Sequence, residues 1–178
     1  MRAPIGSFED ALPAPERKEL LAPPVAAAVT EEMLHVDTDP AKADTADFVA
    51  AYGAELGRWS ANCVVVAGKR GQDVTLAACL VLCTTRVDVN GVVRRHLGVR
   101  KASFAPMDTA VRETGMEYGG ITPVGLPAGW PLLVDAAVAA APYLVVGSGA
   151  RRGKLIVPGP VLAALPDAVV LDGLGVQG

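Results

Sequence analysis

Histidine and cysteine are scarce in this chain: two histidines and three cysteines occur among 178 residues. That scarcity excludes a good deal of chemistry. No GxSxG elbow is present, and neither His35 nor His96 stands in a serine or cysteine arrangement that suggests a catalytic triad. His35 falls in a strand-like run and His96 on a helix, settings in which histidine is more often structural than catalytic. Cys63, Cys79 and Cys83 make neither an even disulfide framework nor a CxxC metal pair. If Cys79 and Cys83 share a strand they point to one face about 13 Å apart, at roughly 3.3 Å per residue, which no single metal or disulfide spans. The expectation is no metal, no cofactor and buried, apolar thiols.

Long apolar runs are missing as well. The longest, Ala136 to Val146, contains Pro142 and falls far short of the roughly 20 residues that cross a bilayer. No basic n-region followed by an apolar h-region opens the chain, so a cytoplasmic protein without a membrane partner is expected. Nor is there a basic excess. A formal net charge of −3 argues against a protein that coats nucleic acid, and DNA is not an expected partner. Two local clusters stand against that background: Arg94, Arg95, Arg100 and Lys101, and Arg151, Arg152 and Lys154. Each reads either as ordinary solvated surface or as phosphate contact.

What the chain does contain fits one folded unit over residues 1–178, with 51% hydrophobic and 20% charged residues giving a sizeable core. Residues 1–20, rich in proline and alanine, read as an irregular arm with a helical turn near Glu16 to Leu21. Met33 to Val36 reads as a strand, and Asp39-Pro40 as the cap of a helix running to about Leu56 with Phe48, Val49, Tyr52 and Leu56 inward. Asn62 to Ala67 and Val74 to Cys83 read as a hairpin around Gly68 to Asp73. Asp88 caps a helix ended by Gly98, Lys101 to Phe104 is a strand, and Pro106 begins a helix to Thr114. Strands follow at Leu132 to Val134, Tyr143 to Gly147, Lys154 to Val157 and Ala168 to Leu171, with a short helix from Pro160 to Leu165. Many short strands with few helices imply an α+β fold whose sheet curls around a core.

Backbone is shaped most heavily between Gly115 and Pro127, where four glycines and two prolines make a bent, stiff loop. Such a loop either joins two strands or presents main-chain N–H groups to a ligand oxygen. A second glycine-rich segment, Gly147 to Lys154, fails both phosphate-binding patterns. Ser148 and Leu155 break a P-loop, and one residue too many separates the second and third glycines for a dinucleotide fingerprint. Nucleotide hydrolysis and NAD chemistry are therefore disfavoured.

Gly119-Gly120-Ile121-Thr122-Pro123 followed by Val124-Gly125 resembles the GxxxP loop of the YbaK / prolyl-tRNA synthetase-associated editing-domain family. Ala61 to Val66 resembles that family's early strand, and Val146 to Gly153 its late Ser-Gly-basic-Gly segment. The resemblance spans roughly Leu21 to Gly173 and implies a mixed, barrel-like β-sheet flanked by short helices. It implies hydrolysis, in trans, of the ester of a mischarged aminoacyl-tRNA bound by its acceptor end, with the substrate's terminal ribose hydroxyl and a water doing much of the chemistry. Asn62, Gly119 and Gly120 are then the catalytic candidates, and Ile121, Thr122, Pro123, Ser148, Gly149, Arg151 and Arg152 the substrate-binding ones. Two positions depart from the family: Asn62 stands where most members carry lysine, and Leu155 where several carry an acidic residue. These departures keep a second expectation open, a catalytically silent binder of tRNA or a small ligand. Self-association as a homodimer is left open too.

Overall fold

The computed structural model describes residues 1–178. Its strands are β1 (Leu12–Pro13), β2 (Leu34–Val36), β3 (Ala61–Arg70), β4 (Asp73–Leu82), β5 (Arg86–Val87), β6 (Lys101–Phe104), β7 (Leu132–Asp135), β8 (Leu144–Gly147), β9 (Lys154–Val157), β10 (Ala168–Leu171) and β11 (Gly175–Val176). Short α-helices lie between them: α1 (Pro23–Ala26), α2 (Thr45–Tyr52), α3 (Arg94–Leu97), α4 (Met107–Thr114), α5 (Ala136–Ala139) and α6 (Gly159–Ala163).

The β3–β4 hairpin is the longest element, and its turn is tighter than the sequence suggests. Only Gly71 and Gln72 connect the strands, with Gly71 at φ 63°. A positive φ at the first central residue is what a II′ hairpin turn demands, and glycine takes it at little cost. The pairing continues unbroken from Arg70↔Asp73 to Ala61↔Leu82. On its other side β4 pairs parallel with β7, and β7 with β10. Strands covered on both faces read as nearly continuous apolar runs, and here Ala77 to Val81 and Leu132 to Val134 are all buried.

Two sheets result, ordered β10-β7-β4-β3-β6 and β1-β2-β9-β8, besides the small pair β11-β5. They meet where Ser60 bridges Val145, with the Val145 N–H donating to the Trp59 carbonyl at 2.8 Å. One apolar cluster fills the space they enclose, drawing Leu80, Leu132 and Val134 from one sheet and Leu144, Val146, Leu155 and Val157 from the other. The fold is α+β, with mixed sheets curled around a core and short helices outside.

One expectation needs correcting. The helix read from Asp39 to Leu56 is three pieces: a 3-10 turn at Pro40–Lys42, α2, and another 3-10 turn at Ala54–Gly57. Asp39 does cap its turn, accepting from the Ala41 N–H at 2.9 Å. The interruptions come where Asp44 is extended (ψ 142°) and where Gly53 takes φ 142°. The first twenty residues, which carry the helical turn expected there as a 3-10 helix at Ala14–Leu20, pack onto the rest of the chain. Phe8 is buried, stacks on Tyr52 with centroids 5.1 Å apart and lies 6.2 Å from Phe48, while β1 pairs with β2.

Candidate functional site

Strand β3 is flanked by β4 along its whole length but by other strands only at its two ends. Strand β6 covers Val66 to Lys69, and the Ser60–Val145 bridge closes the opposite end. Between them the edge of β3 is open. Backbone groups on an antiparallel strand alternate in direction, and Val65 and Lys69 use theirs toward β6, accepting from the Ala105 and Arg100 N–H groups at 3.0 Å. By the same two-residue period, the main chain of Cys63 faces the gap, where no strand pairs with it.

A cavity of about 470 Å³ occupies this gap, within the size range of small-ligand sites. Asn62, Cys63 and Val65 of β3 wall one side, Val145 to Gly147 of β8 another, and Phe48 of α2 a third. The mouth carries Phe104, Met107 and Tyr118, large side chains that are 48 to 60% exposed. Asn62, exposed on the wall, is the position read as replacing a lysine.

The loop from Gly115 to Pro127 reaches the cavity because it is fastened to the segment after β8. Glu117 N–H donates to the Gly149 carbonyl, and Gly149 N–H to the Gly120 carbonyl, both at 2.8 Å. So close is the approach that a Cβ on Gly120 would lie 2.6 to 2.8 Å from backbone atoms of Ala150. Gly120 also donates its N–H to the Glu117 carbonyl at 2.9 Å. Its neighbours differ. Gly119 (φ 80°) and Ile121 both line the cavity, and neither amide has a hydrogen-bond partner within the protein.

The residues singled out from sequence therefore divide. Asn62, Gly119, Ile121 and Arg151 border one cavity. Gly120, Thr122, Pro123, Ser148 and Gly149 are buried behind it. Ser148 ties its own segment together: its Oγ lies 3.1 to 3.2 Å from the carbonyls of Ala150, Arg152 and Gly153, which compete for its single proton. Thr122 donates its N–H to Met116 Sδ at 3.4 Å, and its hydroxyl has no partner. Arg152 is held by Asp37 in a two-point ion pair with both N···O distances 2.7 Å, and it does not line the cavity. That pair keeps the Asp37 carboxyl below its ordinary range.

Lys154, which the sequence left between solvated surface and phosphate contact, lies in the cavity wall. It is half-buried at the start of β9, opposite Gly147, and its Nζ lies 5.7 Å from the Phe48 ring centroid. Burial holds its pKa below the ordinary lysine value, and it has neither an ion pair nor a hydrogen bond. A signal existed in the sequence: Lys154 opens a strand whose other residues, Leu155 to Val157, are all apolar and buried. Leu155, read as a departure at the site, is instead fully buried in the core across from His35 and Val146.

Arg151 provides the second cation. Its guanidinium lies 6.0 Å from the Tyr118 ring and beside Gly119, where a Cβ would stand 2.5 Å from Nη1. Two thiols also border the cavity, yet they are poor nucleophiles: burial pushes Cys83 up to about 11, and Cys63 higher still. No three His, Cys, Asp or Glu side chains converge anywhere as a metal-binding group. The site thus offers two cations, an amide side chain and unpaired main-chain donors. It can bind and polarise an ester or phosphate; it holds no activated nucleophile of its own.

A family model for the aminoacyl-tRNA editing domain matches residues 39–165. Among solved structures, a candidate trans-editing enzyme for prolyl-tRNA synthetase superposes with a TM-score of 0.67 at 23% identity, covering 93% of each chain. A protein from computational grafting of epitope backbones onto scaffolds gives a TM-score of 0.68 at 23% identity, over 93% of this chain and 94% of that one. A hypothetical protein gives 0.64 at 21% identity, over 75% and 85%. At these identities the likeness is one of fold. No curated protein matches the sequence.

Proposed function

The chain belongs to the aminoacyl-tRNA editing domain family, and we propose that it acts in trans, hydrolysing the ester that joins a wrongly chosen amino acid to tRNA. The observation that carries this reading is the cavity itself: about 470 Å³, with an unpaired ammonium and two unpaired loop amides on its walls. In the reaction water adds to the ester carbonyl carbon, the bond from that carbon to the ribose oxygen breaks, and the products are a free amino acid and a terminal hydroxyl. Negative charge develops on the carbonyl oxygen as water adds. Donors fixed in advance around that oxygen lower the barrier, the more so where water is excluded.

Lys154 and the N–H groups of Gly119 and Ile121 are the donors in place for that oxygen. Asn62 supplies a neutral hydrogen-bonding group for the ester or the ribose. Arg151, at the mouth beside Tyr118, suits the terminal phosphate, and the exposed Tyr118 and Phe104 rings suit an unstacked base. The raised thiol pKa values favour direct attack by water over a covalent thioester route. The protein's part is then placement, which alone is worth several orders of magnitude in rate.

The test is a panel of tRNAs, each carrying a different amino acid, incubated with wild type and with Lys154→Gln. Release of at least one amino acid by wild type, slowed in the variant, is expected. Tight binding of acylated tRNA with no release from any member would instead identify a silent binder.

A further inference from the structure

Lys69 of β3 and Lys101 of β6 are register partners at the far end of the sheet from the Ser60–Val145 seam. Directly opposed residues stand with Cβ atoms about 4.5 to 5.5 Å apart, and like charges so placed destabilise the pair. No carboxylate relieves this one. Arg70, Arg94, Arg95 and Arg100 lie on the adjoining hairpin tip, on α3 and on the turn into β6, all exposed; none of the six forms an ion pair. Arg70 is held to α3 by a hydrogen bond to the Gly98 carbonyl at 3.4 Å, and Asp73, its register partner, is the hairpin tip's one acid. In a chain of net charge −3, the opposed lysine pair is open to an anion from outside.

Position says which kind. Side chains alternate along a strand, so Lys69 shares a sheet face with Val65 and Cys63 of the cavity wall, and Lys101 with Ala105, also of that wall. Four residues separate each lysine from its cavity residue, about 13 Å at roughly 3.3 Å per residue. A molecule that entered the cavity by one end and continued as a string of phosphates would lay them across this face. We infer that Lys69 and Lys101 bind the phosphate backbone of the RNA whose acylated end the cavity receives. The inference rests on the proposed deacylase reading for the identity of that end. The phosphates would also remove the repulsion that the lysine pair carries when unbound.

The experiment compares wild type with the double variant Lys69→Gln/Lys101→Gln, using a non-acylated RNA hairpin with an unpaired 3′ end as the probe. Affinity should fall about tenfold at 0.1 M salt, and the slope of log affinity against log salt should become shallower by about 1.4, roughly 0.7 for each lost contact. Hydrolysis of acylated full-length tRNA should lose kcat/KM, while a 3′-aminoacyl-adenosine fragment, too short to reach the patch, is turned over at the wild-type rate. The variant's Tm should be unchanged or higher, since a repulsion is removed. Unchanged affinity and slope would overturn the inference. So would loss of binding to phosphatidylserine vesicles with RNA binding intact, which would assign the patch to a membrane surface. If neither protein hydrolysed any acylated RNA, the deacylase reading would fall, and the salt slope would still decide this one.

Discussion

Lys154 and Phe48 meet in the cavity wall, ammonium over ring at 5.7 Å, with no carboxylate in ion-pair distance of the lysine. A desolvated cation paired only with an aromatic face is stabilised modestly, by about 0.5 to 2 kcal/mol, and gains further from an anion that forms beside it. On the proposed reading, Lys154 is the group that acts on the developing oxyanion.

Lys154→Gln is therefore expected to lower kcat by about a hundredfold, the scale for losing one preorganised donor. Burial depresses the lysine pKa, so the ammonium, and the rate with it, should be lost at lower pH than an ordinary lysine would give. Lys154→Arg keeps the charge and should move the alkaline limb of the pH–rate profile upward. Initial rates across pH for the three proteins check this.

Gly119 and Gly120 should separate cleanly. A Cβ on Gly120 meets the Ala150 backbone, which cannot step aside, so Gly120→Ala should lower Tm sharply. A Cβ on Gly119 meets only the end of the Arg151 side chain, at a backbone φ of 80° that costs about 1 to 2 kcal/mol. Gly119→Ala should stay folded and lose rate as Arg151 is displaced. Thermal unfolding beside single-substrate kinetics distinguishes the two.

Asn62 and Lys154 line the same cavity, which allows an exchange test. Asn62→Ala should cost about 0.5 to 1.5 kcal/mol of transition-state stabilisation, roughly twofold to thirteenfold in rate. Asn62→Lys placed on Lys154→Gln should recover part of the lost activity, because the charge returns to the cavity from β3. Equal rates in the single and double variants would show that the cation must come from β9.

His35 governs stability rather than catalysis. It is fully buried in β2, with Nδ1 3.3 Å from Arg17 Nη1 and Nε2 unpartnered. Burial first, and then the Arg17 charge, lower its pKa from 6.5 to about 4. The unfolded chain therefore takes up a proton near pH 6.5 that the folded chain refuses until about pH 4. Stability is full above that window and falls as pH drops through it, by up to about 3 kcal/mol. Chemical denaturation at pH 7 and at pH 4.5 should show the loss, and His35→Gln should flatten it.

The strand plan was legible because β4, β7, β8 and β9 are buried on both faces and announce themselves as apolar runs between glycines and prolines. Caps were legible for a like reason: Asp88 accepts from the Gly91 and Val92 N–H groups, and Gly98 ends α3 in the left-handed region at φ 65°. The docking of residues 1–20 was hidden, since it depends on one aromatic, Phe8, finding two others more than thirty residues away. The site was half legible. Backbone chemistry marked the loop, but nothing local distinguishes Gly119, which faces the cavity, from Gly120, which faces Ala150. Arg151 and Arg152 are equally alike in sequence, and only the position of Asp37 separates them.

The pairing of β2 with β9 bears on how the chain is made. Leu34 stands in register with Ile156, and His35 with Leu155, so one segment waits for another synthesised more than a hundred residues later. At about 5 to 20 residues per second, a delay on the order of ten seconds separates their emergence from the ribosome. Throughout it the β2 edge that pairs with β9 is uncovered. The β3–β4 hairpin, by contrast, pairs within a single local stretch, the kind of contact that costs least chain entropy to form.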